Sequence, residues 1–534
     1  MTRRCQALSL ILVLLMLAGA FCGCTEQPQG AATNEPHGQS TPGGGQGDQA
    51  TPEPVKDTLV FSINADIVSI DCHMARDTVS AIVLRQMYDT LVRDQPGEGL
   101  VPGLAESWEF SADNLQLTFK IREGVKFHNG DTMTAEDVAF SLNRAIASSF
   151  TSSFSGTMDR AEVLDSTHVR LYMKQAFGPV LQCLSVPCMG VVSKRAVEEL
   201  GDEGFAAAPV GTGPYKFVEW KSGEKVVLGA FDEYYRGSPA IKDLTFVIMS
   251  DRSTAAIALE NNEIDVLYAP DVADRAQLES LDNVQFLTGN GSVYMWIIAF
   301  NNESGIFADK RLREAISYAI DREEILAGAL NGFGEPVEMP IVPSVFGYDE
   351  SFENHEYDLD KARQLMAEAG YPDGFSVTIK LNQSTTYTRP AEIVQAQLRK
   401  IGIDLQFELM ERAAFLSDVT TNCDYEITLF MFTAGYPDAD YVLYGRMHSG
   451  NIGGTNYLKY SNPEVDVLLD EARASTDPAR RKELYWKVSE YVRDDVPFIP
   501  LITDHVCIAA NSGLSGVQAS AGELHYVFDY AWTK

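Results

Sequence analysis

Four aromatic residues have the spacing expected of walls in a ligand-binding pocket. Tyr294 and Trp296 are two residues apart in an apolar run, so strand alternation would place both side chains on one face. Tyr436 and Tyr441 flank a short acidic segment later in the chain. Binding clefts combine aromatic surface with a few polar groups, so contact with a small molecule is one interpretation. Packing in a hydrophobic core is the other.

Two arginines could add a charged contact to such a pocket. Arg389 and Arg412 each carry a planar guanidinium, which can hold a carboxylate through two parallel hydrogen bonds. Both residues could equally be ordinary exposed side chains that bind nothing. The sequence therefore offers them as candidates for binding an acidic group and leaves the alternative open.

Motifs typical of catalysis are absent from the sequence. There is no HExxH, no GxSxG and no P-loop, and Gly211-Thr212-Gly213-Pro214 departs from the dinucleotide fingerprint. The histidines are scattered, and no two have the helical spacing of a metal site. We therefore expect no enzyme activity, no cofactor and no metal. A carboxylate pair of the glycosidase type stays open, because the sequence does not give the distance between two acids.

Cys183 and Cys188 are close enough in sequence to form a disulfide in an oxidising compartment. Two buried thiols are the alternative. A metal site is disfavoured, because no CxxC motif or histidine cluster accompanies them. The chain after Cys24 contains five cysteines, an odd number, so at least one is unpaired or pairs outside the chain.

The composition indicates a folded, acidic protein. Of its 534 residues, 45% are hydrophobic and 22% are charged, which is enough for real hydrophobic cores. The formal net charge is −33, from 42 basic and 75 acidic residues. Nucleic-acid binding and adhesion to anionic lipid both rely on a basic surface, so this balance disfavours both functions.

Residues 1–23 resemble a bacterial lipoprotein signal peptide. Two arginines precede an apolar run over 10–21 that is too short for an ordinary membrane-spanning helix. Cys24 follows the small residue Gly23, as the lipidated cysteine of such signals does; a plain secretory signal is the alternative. The Gln-, Pro-, Gly- and Thr-rich segment 24–56 predicts a disordered tether. We expect an extracytoplasmic protein that is anchored to the cell membrane by an N-terminal lipid.

Predicted strands and helices interleave along the rest of the chain. Asp309 precedes an apolar stripe of helical period, and Asn462-Pro463 and Asp477-Pro478 are N-caps followed by proline. β-Branched and aromatic residues predict strands at 58–63, 115–121, 169–173, 225–228, 244–249, 375–381, 403–409 and 425–432. This interleaving predicts an α/β fold class.

Several short motifs follow one another in a fixed order through the body of the chain. They occupy residues 104–109, 117–119, 121–130, 134–138, 211–215, 262–265, 311–321, 400–403 and 497–500. The ordered set resembles the signature of the family 5 extracellular solute-binding proteins, which are peptide-, oligopeptide- and nickel-binding receptors of ABC importers. The resemblance extends from about residue 57 to the C-terminus and implies ligand binding without catalysis.

The resemblance also implies a two-lobed periplasmic-binding-protein-like fold with an extra subdomain in the first lobe. Projected onto this chain, the first lobe comprises 57–92, 209–290 and 500–534, and the extra subdomain comprises 93–208. The second lobe comprises 291–499. Chain crossings between the lobes then form a hinge, and ligand affinity depends on favouring the closed state.

One segment departs from the pattern of peptide-binding members, which often reads Trp-x-x-Asp-x-x-Asp-Pro. The first Asp of that pattern binds the α-ammonium of the peptide. Here Phe432 replaces the Trp and is a candidate ligand contact, Gly435 replaces that Asp, and the second acid is retained as Asp438. The ammonium anchor is therefore missing or moved to Asp438 or Asp440, unless these two acids only form a turn and cap a helix.

The sequence thus favours a lipid-anchored, monomeric receptor that captures a small peptide-like solute and delivers it to ABC permease subunits. Two alternatives remain open: a receptor for a chelated metal such as nickel, and a secreted hydrolase. Import and sensing are not distinguishable from this chain alone.

Overall fold

The computed structural model describes residues 56–75, 77–95, 98–289, 292–520 and 526–533. The predicted signal peptide, Cys24 and all but the last residue of the predicted tether lie outside these ranges. Within the described ranges, no helix is both long enough and apolar enough to cross a membrane.

Strands and helices alternate, which confirms the α/β class, and each predicted strand is present with its ends displaced by no more than two residues. Strands β1 to β21 are Thr58–Ile63, Val92–Gln95, Gly99–Pro102, Ala105–Phe110, Gln116–Ile121, Met158–Val163, His168–Met173, Tyr215–Lys221, Lys225–Ala230, Asp243–Ile248, Val266–Tyr268, Val284–Thr288, Tyr294–Phe300, Gly334–Pro336, Phe375–Asn382, Ile403–Met410, Ile427–Thr433, Phe498–Asp504, Cys507–Asn511, Leu514–Ser515 and Ala531–Trp532. Helices α1 to α15 are Thr78–Met87, Ala135–Ala147, Ser152–Ser155, Val180–Leu184, Lys194–Ala207, Arg252–Glu260, Val272–Glu279, Lys310–Ala319, Arg322–Leu330, Leu359–Glu368, Thr385–Arg399, Arg412–Leu416, Ala439–Met447, Pro463–Ala474 and Pro478–Asp495.

A seven-stranded sheet forms the first lobe, in the order β12-β19-β11-β1-β10-β9-β8. β1 lies between the parallel strands β11 and β10, and its alternate residues Leu59, Phe61 and Ile63 are buried. α1 packs its apolar face in the same core. This helix begins at Asp77, whose side chain accepts a hydrogen bond from the Ser80 backbone N–H.

A four-stranded antiparallel sheet, β4-β5-β7-β6, forms the extra subdomain together with α2. α2 begins with a capping box, because the Thr134 and Asp137 side chains each accept a hydrogen bond from the other's backbone N–H. Buried residues of the sheet and of α2, among them Phe119 and Val138, give this unit a core of its own.

A six-stranded mixed sheet forms the second lobe, in the order β14-β18-β13-β17-β15-β16. Asp309 caps α8 as predicted, and the helix buries Leu312, Ala315 and Ile316 against this sheet. Asn462 and Asp477 likewise cap α14 and α15, each followed by proline at the first helical position. These caps fix where α8, α14 and α15 begin.

The lobes are joined where β12 leads into β13 and where β18 leads into β19. The two connections lie side by side, because the Gly289 N–H donates to the Val506 carbonyl at 2.8 Å. The predicted boundary between residues 499 and 500 falls inside β18, which pairs with β13 and β14 of the second sheet. The crossing therefore begins after Asp504, because β18 contributes buried residues to the core of the second lobe.

Candidate functional site

The cleft between the lobes contains two adjoining cavities. The first has a volume of about 940 Å³ and the second a volume of about 1110 Å³. Thr78 of the first lobe lines both, as do Tyr294 and Arg412 of the second lobe. The Thr78 hydroxyl lies 3.4 Å from the Tyr294 hydroxyl, so the lobes touch where the cavities meet. Each cavity is large enough for a small organic solute.

β13 carries two of the predicted aromatic walls into the second cavity. Tyr294 and Trp296 lie on one face of the strand and both line this cavity. Trp296 is only 4% exposed, and its indole N–H donates to the Thr386 carbonyl at 3.0 Å. Trp296 therefore belongs to the core of the second lobe and to the cavity wall at once.

The two predicted arginines also lie in the cleft. Arg389 of α11 lines the second cavity, and Arg412, the first residue of α12, lines both cavities. Both side chains are exposed, and neither forms an ion pair with another described residue. Their guanidinium groups are therefore available to an acidic ligand.

Charged side chains are distributed unevenly between the two cavities. The second cavity is lined by four arginines, Arg252, Arg275, Arg389 and Arg412, and by three acids, Asp271, Glu411 and Asp504. The first cavity is lined by two arginines, Arg85 and Arg412, and by two acids, Asp77 and Asp94. In a protein of formal net charge −33, the second cavity is thus a local concentration of cationic groups.

The predicted tyrosines near residue 440 line the first cavity. The Tyr436 hydroxyl donates to the Asp440 carboxylate at 2.8 Å, and its ring packs edge-on against Phe177 of the extra subdomain. Tyr441 packs edge-on against Tyr436, with ring centroids 5.1 Å apart. Tyr436 therefore joins the subdomain to the second lobe, and Tyr441 presents its ring beside the cavity.

Asp438 and Asp440 do not line either cavity, which corrects the expectation that one of them replaces the ammonium anchor. Asp438 caps α13 and accepts two hydrogen bonds from Arg481, at 2.6 and 2.8 Å. Asp440 accepts two from Arg473, at 2.6 and 2.9 Å. Both carboxylates are fully buried, so α14 and α15 supply the charges that neutralise them.

Phe432 also lies away from the cleft, which corrects its prediction as a ligand contact. It is 2% exposed and packs edge-on against Phe498, with ring centroids 5.0 Å apart. Its position on β17 points it into the core of the second lobe, because β17 is covered on that side. The aromatic residue at this position therefore stabilises the fold.

Two acids of the first cavity were not identified from the sequence. Asp77 caps α1 through Oδ1, while Oδ2 is buried and meets no hydrogen-bond donor among the described residues. Burial raises the pKa of Asp94, and the nearby Arg85 opposes that shift. An Asp followed by Thr at the start of a helix is an N-cap pattern, and this pattern could have identified Asp77 from the sequence. No local pattern distinguishes Asp94 from the other acids of this acidic chain.

Cys183 and Cys188 are two buried thiols, which is the second of the two arrangements that the sequence left open. Cys183 lies in α4 and Cys188 in the single helical turn that follows it. Burial raises the pKa of Cys183 well above its usual value, which keeps its thiol protonated and unreactive. Cys188 also lines the first cavity.

Asp71, Cys72 and His73 bring three potential metal ligands within 4.8 Å of one another. Arg144 already holds this group, because its guanidinium donates to both Asp71 oxygens and lies 2.9 Å from His73 Nδ1. The other ring nitrogen lies 3.1 Å from the Gly190 carbonyl. These ligands are therefore committed to hydrogen bonds beside a fixed positive charge, which disfavours a cation.

Comparison with known proteins identifies the family. The model of the bacterial extracellular solute-binding proteins, family 5 Middle, matches residues 99–454. This chain belongs to family 5 of the extracellular solute-binding proteins. The family 5 protein is 30% identical to the glutathione-binding protein GsiB of Escherichia coli K12 over 470 residues, which cover 86% of this chain and 91% of GsiB.

Two further relatives agree with this assignment. Over 449 residues the family 5 protein is 29% identical to the heme-binding protein A of Haemophilus influenzae, covering 78% of this chain and 81% of the relative. Its fold is similar to that of the ABC transporter-associated periplasmic binding protein DppA of Helicobacter pylori, solved with the peptide STSA. The TM-score is 0.75 at 28% identity, with 90% of this chain and 99% of DppA covered. The family 5 protein is thus a two-lobed solute-binding protein of the ABC-transporter type.

Proposed function

We propose that this protein captures a small peptide-like solute bearing at least one carboxylate in the interlobe cleft and delivers it to an ABC importer without chemical turnover. The observation that carries the proposal is the pair Arg389 and Arg412, which line the cleft, are exposed and have no ion-pair partner among the described residues. Because the chain has 75 acidic and 42 basic residues, many carboxylates were available as ion-pair partners for these arginines.

A carboxylate in the second cavity would meet arginines of both lobes. Arg252 opens α6 of the first lobe, whereas Arg389 and Arg412 belong to the second lobe. A ligand that contacts both lobes binds the closed arrangement more tightly than the open one. Closure around the two crossings would then report occupancy to the importer.

The aromatic walls fit a solute of variable side chains. Tyr294 and Trp296 offer flat apolar surface, and the Tyr387 ring lies on the same side of the cavity. Burial raises the pKa of Tyr387 and Arg412 opposes that shift, so the phenol stays neutral beside the guanidinium. Flat apolar walls with a few charged groups hold a ligand without selecting one side chain.

The relatives support a peptide-like ligand class. GsiB is named as a glutathione-binding protein, and DppA was solved with a tetrapeptide. Glutathione and peptides share amide groups and terminal carboxylates, which suit arginine forks. The name of the Haemophilus relative, a heme-binding protein, also implies a ligand that bears carboxylates.

We propose in addition that the mature chain begins at Cys24, carries an N-terminal lipid there and works as an extracytoplasmic monomer. The small residue before Cys24 and the polar composition of 25–56 support this arrangement. We expect signal-peptide processing that globomycin inhibits and a lipid mass on Cys24. Both should be lost in Cys24→Ser. An unmodified Cys24 in membranes of the host would overturn the anchor.

Native mass spectrometry of the mature chain, purified from its host without refolding, tests the ligand class. A retained species of peptide mass, released by mild denaturation, is the expected result. A nickel-chelate mass would instead favour the metal-chelate receptor. Consumption of peptide or glycan pools, with no solute retained, would overturn the receptor function in favour of a hydrolase.

A further inference from the structure

The second lobe has no carboxylate where peptide-binding relatives often place one. Gly435 occupies that position, and the Tyr441 ring lies against it. The two nearby acids, Asp438 and Asp440, are buried and paired with arginines. A solute with a protonated amino group therefore needs a counter-charge from another part of the first cavity.

The opposite wall of the first cavity supplies an unsatisfied carboxylate oxygen. Asp77 caps α1 with Oδ1, which accepts from the Ser80 N–H at 2.9 Å. Its Oδ2 is buried but has no hydrogen-bond partner among the described residues. A buried carboxylate oxygen without a donor is costly, and a charged donor gives the strongest compensation. Asp77 and Gly435 line the same cavity from opposite lobes.

Arg85, the cation that the described residues place in this wall, does not satisfy Asp77. Arg85 lines the cavity, but its Nη1 donates to the Tyr526 hydroxyl at 2.9 Å, and no ion pair to Asp77 exists within the described ranges. Asp94 lines the same cavity and adds a second negative charge. The first-lobe wall is thus the acidic end of a cleft whose second cavity is rich in arginine.

A rival carboxylate lies in the second cavity. Asp504 Oδ1 is also buried and has no hydrogen-bond partner among the described residues, although Ser292 donates to the same carboxyl group. However, Arg275 and His505 line the cavity beside it, and both favour its ionised form electrostatically. A ligand ammonium at Asp504 would have to approach these cationic groups, whereas no cationic side chain among the described residues lies within hydrogen-bond reach of Asp77.

We propose that Asp77 of the first lobe binds the protonated amino group of the solute, in place of the second-lobe carboxylate of peptide-binding relatives; this inference rests on the function proposed above. The solute then lies with its amine in the first cavity and its carboxylate toward Arg412 and Arg389. The first lobe contributes the negative charge and the second lobe the positive charges that a zwitterionic ligand needs, so neither lobe alone binds it tightly.

The test compares amine-bearing and amine-blocked peptides on the full chain. The protein is incubated with an equimolar pool of tripeptides and with the same pool N-acetylated, and retained peptides are quantified by mass spectrometry. The wild type is expected to prefer the free amines by roughly tenfold to a hundredfold, the range of a charge-assisted hydrogen bond. Asp77→Asn should abolish that preference, because asparagine caps the helix but carries no charge.

A matched control separates a local effect from a general one. Asp477 also caps a helix, α15, and lines neither cavity, so Asp477→Asn should keep the wild-type preference. Asp77→Ser introduces a second neutral capping residue and replaces Asp77→Asn in the test if that variant does not fold. Thermal melts show whether each variant is folded. Equal retention of the two pools by the wild type, or an unchanged preference in both Asp77 variants, would overturn the inference while leaving the receptor function intact. Retention of no peptide from either pool would overturn both.

Discussion

The ring of Tyr441 lies so close to Gly435 that a Cβ on residue 435 would come within 2.6 Å of the ring carbon Cε2. Cβ atoms of real side chains essentially never make contacts that short. The volume that an aspartate side chain would need at this position is therefore filled by an aromatic ring. Packing against Tyr441 therefore disfavours an aspartate at position 435.

Gly435→Asp is predicted to destabilise the protein rather than to restore an anchor. The tyrosine ring must move to admit the new side chain, and overpacking of this kind costs roughly 1–3 kcal/mol. Calorimetric melts should show a lower melting temperature for Gly435→Asp. The double variant with Tyr441→Ala should recover most of the loss. A wild-type melting temperature in the single variant would contradict the packing of Tyr441 on Gly435.

The ion pair of Asp438 with Arg481 is predicted to stabilise the fold and to leave ligand choice unaffected. Asp438→Asn keeps the helix cap but leaves the Arg481 guanidinium buried without its counter-charge, which costs about 3–5 kcal/mol. Urea unfolding should show this loss. Asp271→Asn is the control, because this exposed cap has no ion pair among the described residues and should change stability by less than about 0.5 kcal/mol. A loss below 1 kcal/mol in Asp438→Asn would contradict the assignment.

Acid is predicted to destabilise the protein through His128. Burial lowers the pKa of this histidine to about 4, helped by Lys216 and opposed by its contact with the Gly213 carbonyl. The Gly211 N–H donates to Nδ1, so the neutral ring has no room for a second proton there. In the unfolded chain this histidine binds a proton near pH 6.5. The stability that the neutral, buried ring contributes above that pH is therefore lost as the pH falls toward 4, by up to about 1.4 kcal/mol per pH unit.

His128→Gln tests this pH dependence. Between pH 6.5 and 4.5, the free energy of unfolding of the variant should depend less steeply on pH, by the contribution of one bound proton. Urea titration at each pH measures this dependence. Identical slopes in wild type and His128→Gln would show that the ring is not held in its neutral form.

Local patterns in the sequence were sufficient to predict the secondary-structure elements but not the residues with which their side chains pair. The caps at Asp309, Asn462 and Asp477 and the single face of Tyr294 and Trp296 follow from periodicity and helix chemistry, which act over a few residues. The family resemblance supplied the two-lobed arrangement. Each of these features is visible within a window of about ten residues or in an ordered set of motifs.

The roles of the acids depended on distant partners. Asp438 could be interpreted as a ligand contact or as a cap, and the deciding residue, Arg481, is 43 positions away on another helix. Phe432 follows the same logic, because its contact with Phe498 crosses the sheet. Asp77 was missed for the converse reason, since its cap is local but its place in the cavity wall depends on the lobe opposite.

Charge removal at the cleft arginines is predicted to weaken solute binding without lowering stability. The combined variant Arg389→Gln, Arg412→Gln loses two exposed guanidinium groups that have no ion-pair partner in the described part of the chain, so the free energy of unfolding should change little. A carboxylate that loses charge-assisted hydrogen bonds should dissociate roughly tenfold to a hundredfold more readily. The occupancy of the co-purified solute in native mass spectra, compared at equal protein concentration, measures this loss. Arg399→Gln, at the far end of the same helix α11 and outside both cavities, should keep wild-type occupancy. Equal occupancy in the Arg389, Arg412 variant would mean that the solute is held without these arginines.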